Sequence, residues 1–192
     1  MHDYQAHDTA IIDKGAVIGK NTKIWHWTHI CKGATIGQNC SLGQNVYIGN
    51  EVKIGNNVRI QNNVSVYDGV EIQDNVFCGP SMVFTNVYNP RALIPRKKEL
   101  KKTFVEEGVT IGANATIICG IKIGKHSFIA AGALVNKDIG DYELIIGVPG
   151  KMIGWMSEYG EQIYFENQSY SRALCKKSNA EYQIKNNKVT KI

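Results

Sequence analysis

Apolar residues recur along this chain at a strict interval of six. From Ile12 the step lands on Ile18, Ile24, Ile30, Ile36, Leu42, Ile48, Ile54, Ile60, Val66, Ile72, Cys78 and Phe84. After an interruption it resumes at Val105 and runs through Ile111, Ile117, Ile123, Ile129 and Val135. Two residues before these positions sit small or β-branched residues such as Ala10, Thr22, Ala34, Val46, Val58 and Val70. Three residues after them the chain places Gly or Asn with few exceptions, as at Gly15, Asn21, Gly33, Asn39, Asn45 and Asn57.

An amphipathic helix needs a period of 3.6 and tolerates Gly and Asn poorly, so it does not produce this pattern. Two inward residues and one that enters positive φ at low cost describe a short strand followed by a sharp corner. Such units cannot bury their apolar side alone; wound into coils, they stack as parallel sheets. The expected fold is all-β, a parallel β-helix whose coils stack at the usual ~4.8 Å strand spacing.

Function is expected where a scaffold of this kind is interrupted. The phase slips between Phe84 and Val105, where a proline-punctuated run carries six basic residues against one acidic. A loop of that length in a compact scaffold marks a binding segment or a solvated excursion. His29, Tyr47, Tyr67 and Thr85 each adjoin an inward position and so face outward, candidates for a wall that meets a ligand or a neighbouring subunit. Trp25, His26 and Trp27 read as an interface. The second interruption is Gly147-Val148-Pro149-Gly150-Lys151, after which Met152–Ser157 is expected to begin a short helix. Tyr182–Lys185 and Lys188–Ile192 around Asn186-Asn187 read as a small hairpin. The expected organisation is therefore a β-helix over 1–150 with a loop at 85–104, then a helix-and-hairpin extension over 151–192.

Composition narrows this picture only a little. A net charge of +5 over 192 residues suits an anionic small molecule about as well as a nucleic acid. No apolar run is long enough to span a membrane, and the first residues lack a signal-peptide layout. Five cysteines without a CxxC pair argue against a disulfide framework and for a reducing, cytoplasmic setting. His26, His29 and His126 lack the clustered spacing of a three-histidine zinc site, so no metal is expected in the chemistry. His126 takes a corner position and reads as structural.

The pairs Ile18-Gly19, Ile36-Gly37, Leu42-Gly43, Ile48-Gly49, Ile54-Gly55, Ile111-Gly112 and Ile123-Gly124 make the chain resemble the hexapeptide-repeat acyltransferases. The resemblance, not the spacing, implies left-handed winding, a homotrimer and a triangular section of three hexads per coil, hence roughly six coils, about 30 Å tall, with His29, Tyr47, Tyr67 and Thr85 on one outer face beside the loop. Within that family, the run from Ile60 to Tyr67 is similar to a more specific pattern. So are Phe77-Cys78-Gly79-Pro80-Ser81, the segment Asn86-Val87-Tyr88-Asn89-Pro90-Arg91, and Val148-Pro149 with Gly154-Trp155-Met156. These resemble the 3-amino-sugar nucleotide N-acetyltransferases, whose acceptors include UDP-2-acetamido-3-amino-2,3-dideoxy-glucuronate, used for O-antigen. A dTDP-linked 3-amino-3,6-dideoxyhexose is the alternative acceptor, and a catalytically silent solenoid the alternative from another class.

The resemblance implies acetyl-CoA as cosubstrate and Asn86 as the catalytic position, orienting acceptor amine and thioester by hydrogen bonds. Tyr88, Arg91 and Arg96 would meet sugar and pyrophosphate, joined by His29, Asn63 and Tyr67; Asn63 is also explained by its corner. The family's Gly-x-Pro-Ala-Lys stretch maps onto Val148, Pro149 and Lys151, with Gly150 in place of Ala. Small residues at Ala113, Ala131 and Gly132 would let pantetheine approach the backbone.

Overall fold

A computed structural model describes residues 3–192; Met1 and His2 lie outside the described residues. Each hexad forms a short strand ending on an inward aliphatic side chain, and every third strand stacks. The first face carries Lys23–Ile24, Ser41–Leu42, Arg59–Ile60, Phe77–Cys78, Thr110–Ile111 and Phe128–Ile129. On the second lie His29–Ile30, Tyr47–Ile48, Ser65–Val66, Val83–Phe84, Thr116–Ile117 and Leu134–Val135. The third holds Val17–Ile18, Thr35–Ile36, Lys53–Ile54, Val70–Ile72, Thr103–Val105 and Lys122–Ile123. Pairing between coils is parallel and in register, as in Ile24 with Leu42 and Ile60 with Cys78. The result is a left-handed parallel β-helix.

One continuous core fills the prism. Ile30, Leu42, Ile48, Ile60, Val66, Ile111, Ile117, Ile123 and Ile129 are wholly buried. Each such side chain contributes about 1.5–3 kcal/mol by leaving water, which no isolated two-residue strand could achieve. The corners are held by asparagine. Asn21, Asn39, Asn57 and Asn75 all have φ near +60°. Their amides also bond from coil to coil, Asn21 to Asn39 at 3.2 Å and Asn57 to Asn75 at 3.1 Å. Asparagine thus tolerates the corner as glycine does and adds a ladder of hydrogen bonds that glycine lacks.

The stack is longer than the sequence count, about eight turns. Strand Gln5–Ala6 extends it below Ile12. Above Val135 the phase slips a second time, unlike the single slip expected: Ile123 bridges Ile139 and Ile129 pairs with Ile145. The slip hides those two isoleucines from a strict step of six.

The helix expected after Pro149 is a strand. Lys151–Met156 turns back antiparallel on Glu143–Ile146 through Gly147–Gly150, where the Val148–Pro149 bond is cis. The last coil leaves unpaired N–H and C=O groups along its edge, and a returning strand satisfies them where a helix would not. It also buries Trp155 and Met156. Among the described residues the one helical piece is a 3-10 turn at Lys97–Glu99.

The terminal hairpin is present, with Asn186 and Asn187 at φ of 49° and 56°. A third strand, Tyr170–Cys175, joins Ala180–Lys185 and Lys188–Lys191 in one antiparallel sheet. Its apolar side forms a second core of Tyr142, Trp155, Ile163, Cys175, Tyr182, Ile184 and Val189. Among the described residues no helix is long and apolar enough to cross a membrane.

Candidate functional site at the interrupted corner

Two corners bound the second face, and the candidate residues divide between them. The loop leaves the corner between the second and third faces, directly after Phe84. Without it Ile72 would pair with Pro90; with it Ile72 pairs with Val105 and the prism continues undisturbed. The neck is closed by Lys101 N–H donating to the Asn86 carbonyl at 2.9 Å. Below it Thr103 N–H donates to the Gly69 carbonyl at 3.0 Å. Leu100 lies on Gly69, whose φ is +88° and where a Cβ would stand 2.4 Å from Leu100 Cδ2. Gly69 therefore gives the loop both its corner and its seat.

Inside the neck is a cleft of about 380 Å³ lined by Asp68, Asn86, Val87, Pro90, Arg91, Ile94, Arg96, Lys97 and Leu100. Three of the residues singled out in the sequence, Asn86, Arg91 and Arg96, meet there. Asp68 sets one carboxylate in the wall of the cleft, its Oδ1 accepting from Asn50 N–H at 2.7 Å, against the three cations Arg91, Arg96 and Lys97. Arg96 is held by Glu99, with Nη1 at 3.0 and 2.8 Å from the two carboxylate oxygens. Its Nε is buried and has no partner, an N–H without an acceptor, which favours an anion nearby. One edge of the Arg96 guanidinium is thus already used, and Arg91 has no ion pair among the described residues. Tyr88 is exposed, with Lys101 Nζ 4.9 Å above its ring.

The outer-face wall is partly as expected. His29 and Tyr47 rings lie 5.8 Å apart edge-to-face, and Tyr47 and Tyr67 lie 6.0 Å apart. Tyr47 is pushed up to about 12 by a hydrogen bond to Cys31, with burial adding to it. Thr85 does not join the wall; its Oγ1 accepts from Cys119 N–H at 2.9 Å. Tyr67 adjoins the cleft through Asp68. His29 sits three strands down from Phe84, roughly 14 Å at the normal spacing, and is not in the cleft.

The other group lies on the corner between the first and second faces. Asn63 is there at φ 62°, its Oδ1 accepting from Asn45 Nδ2 at 3.2 Å, a rung of the corner ladder. Farther along, Gly132 N–H donates to the Ala113 carbonyl at 2.8 Å, so Ala113, Ala131 and Gly132 are stacked. A Cβ on Gly132 would have open space around it. The 147–150 turn caps the same corner, with Gly150 N–H on the Leu134 carbonyl at 2.7 Å, Val148 projecting and Lys151 exposed. The small residues leave the backbone beside this exposed turn uncovered. Within one chain, a whole face separates this corner from the Asn86 cleft.

Comparison with known proteins resolves what kind of scaffold this is. The model described as bacterial transferase hexapeptide (six repeats) matches residues 15–50 and 102–137. A second, hexapeptide repeat of succinyl-transferase, matches residues 33–68. The coils of this chain are thus similar to those of the hexapeptide-repeat transferases. Both models fall on the coils and leave residues 69–101, with most of the loop, unmatched.

The 2,3,4,5-tetrahydropyridine-2,6-dicarboxylate N-acetyltransferase of Staphylococcus aureus is 36% identical over 84 residues. That match covers 44% of this chain and 32% of the relative, so the chain spans about a third of the length of the curated relatives it matches. A galactoside acetyltransferase in complex with coenzyme A is 26% identical with a TM-score of 0.58, covering 69% of this chain and 68% of the other. A hexapeptide-repeat acetyltransferase of Vibrio cholerae, complexed with acetyl coenzyme A, is 27% identical with a TM-score of 0.51. It covers 65% of this chain and 72% of that one.

One functional arrangement has no counterpart in the sequence reading. His126, at φ 53°, stacks on Tyr142 with centroids 5.2 Å apart. Tyr142 Oη donates to Glu158 at 3.0 Å, and Lys191 Nζ pairs with the same carboxylate at 2.6 Å. Glu158 N–H in turn donates to Tyr182 Oη at 2.9 Å. This cluster fastens the C-terminal sheet to the prism, and His126 takes the positive-φ corner expected of it. Nothing local announces it, because its members lie up to 65 positions apart, from His126 to Lys191.

Proposed function

We propose that this chain moves an acetyl group from acetyl-CoA to the 3-amino group of a nucleotide-linked amino sugar, with UDP-2-acetamido-3-amino-2,3-dideoxy-glucuronate as the acceptor, for surface-polysaccharide (O-antigen) synthesis. The observation that carries this reading is the basic cleft built around Asn86 at the one long interruption of a hexapeptide solenoid. The solved relatives complexed with CoA and acetyl-CoA support acetyl-CoA as the donor.

The chemistry asks mainly for positioning. The neutral amine attacks the thioester carbonyl carbon, and the oxygen takes up negative charge. The C–S bond then breaks, the amide remains on the sugar, and the thiolate takes the surplus proton from nitrogen to leave as free CoA thiol. Asn86, held at the loop neck, orients the amine and the thioester. Arg91 and the free edge of Arg96 take the sugar carboxylate and pyrophosphate, and Tyr88 and Tyr67 pack on the sugar and base. The small-residue corner at Ala113, Ala131 and Gly132, capped by Val148, Pro149 and Lys151, takes pantetheine and the CoA nucleotide.

Because a face of the prism separates this corner from the cleft, a complete site needs the cleft of one chain beside the small-residue corner of another. A homotrimer supplies that, and exposed Ile11, Trp25, Trp27 and Val83 support association of the faces. A panel of 3-amino-sugar nucleotides tests the acceptor. Acetylation of the uronate in preference to the dTDP-deoxyhexose supports the reading; the opposite preference removes the uronate, and no turnover with any member favours a silent scaffold.

A further inference from the structure

Far from the loop, the lattice of the β-helix assembles a second constellation. His29 and Cys31 flank inward Ile30, so both side chains point outward from one strand. Asp13 is one coil below Cys31, its N–H bonded to the Ile30 carbonyl at 2.9 Å. A two-residue alternation and the coil repeat thus put imidazole, thiol and carboxylate on one outer patch. Asp13 Oδ1 lies 3.3 Å from His29 Nε2, and Cys31 Sγ lies 4.0 Å from that same nitrogen. The three donor atoms all fall within 4.8 Å of one another.

The shared nitrogen decides between two chemistries. A nucleophilic relay needs the thiol on one ring nitrogen and the carboxylate on the other. Here both approach Nε2, so the three groups converge on a point rather than form a chain. Tetrahedral zinc, with bonds near 2.0–2.3 Å, sets its donors about 3.3–3.6 Å apart, so one distance already fits and the others close by small side-chain rotations. Tyr47 packs edge-to-face on His29, centroids 5.8 Å apart, and so fixes the ring that carries the shared nitrogen.

We propose that Asp13, His29 and Cys31 form a binding site for a zinc-type divalent cation, with water completing the coordination. The site is three strands from the Asn86 cleft and takes no part in acyl transfer. On binding, Cys31 gives up its proton to solvent and becomes the thiolate ligand.

Cobalt chloride titrated into the metal-stripped full-length chain is the test. Expected are one bound cobalt per chain, a near-ultraviolet thiolate-to-cobalt band, and displacement of that band by zinc chloride. C31S should abolish the band. D13N, which removes a ligand, should weaken binding at least about 10-fold, no less than the loss of an outer-shell partner. C119A, altering another buried thiol, should leave the titration unchanged. Because Asp13 and His29 are only half-buried, D13N and H29Q keep the test open even if C31S folds poorly. No cobalt bound to the wild type, or an unaltered titration in C31S, D13N and H29Q, overturns the proposal.

Discussion

The amide of Lys101 donates to the carbonyl of Asn86 at 2.9 Å, joining the two ends of the loop inserted into the prism. That bond closes the loop neck on the Asn86 backbone while leaving its side-chain amide to the cleft. Asn86→Ala removes only the amide. Turnover should fall about 100-fold or more, in the range of losing one preorganised hydrogen-bonding group at the reacting centre. CoA affinity, measured by calorimetry, should stay within about twofold.

Leu100 on Gly69 is the second fastening of the loop. Gly69→Ala puts a methyl into Leu100 and a side chain at φ +88°, a strain of about 1–2 kcal/mol. The prism should survive, since the corner stands between paired strands. Limited proteolysis should become faster at the basic loop, and kcat/KM for the sugar should drop more than that for acetyl-CoA.

Arg91 and Arg96 differ in what they have free. Arg96 is partly spent on Glu99, whereas Arg91 has no ion pair among the described residues. Arg91→Ala should therefore raise KM for a uronate acceptor by about 10-fold or more, and change it much less for a neutral sugar on the same nucleotide. Equal losses for both would place Arg91 on the pyrophosphate instead.

The joint at Glu158 gives a pH dependence. Burial alone would raise this carboxyl, but Lys191, Tyr142 and His126 outweigh it and hold the group below its ordinary range. A carboxylate lowered in the folded state contributes stability above its unfolded pKa, and loses it as pH falls through the folded value. Glu158→Gln should flatten the acid side of the stability curve and detach the C-terminal sheet first. Hydrogen exchange over 170–191 reads that directly.

How much of this was legible follows from distance along the chain. Ile12 to Val135 spoke through a short repeat, so the coils, the corner asparagines and the point of insertion after Phe84 were readable. Ile139 and Ile145 were not, because a two-residue deletion in the coil broke the phase. Pro149 suggested a helix start, yet an unpaired sheet edge outweighed that local signal and made 151–156 a strand. The cleft was half legible: Asn86, Arg91 and Arg96 come from one loop, but Asp68 and the Gly69 seat come from an earlier coil. The His126–Glu158–Lys191 joint depends wholly on tertiary folding.

Acetyl-CoA carrying a carbonyl-carbon label tests the central claim most directly when mixed with the purified chain and the UDP-linked 3-amino-uronate. The account predicts label in an N-acetylated sugar nucleotide, with one free CoA thiol released per product. Thiol released as labelled acetate, or label reaching no 3-amino-sugar nucleotide, would contradict it.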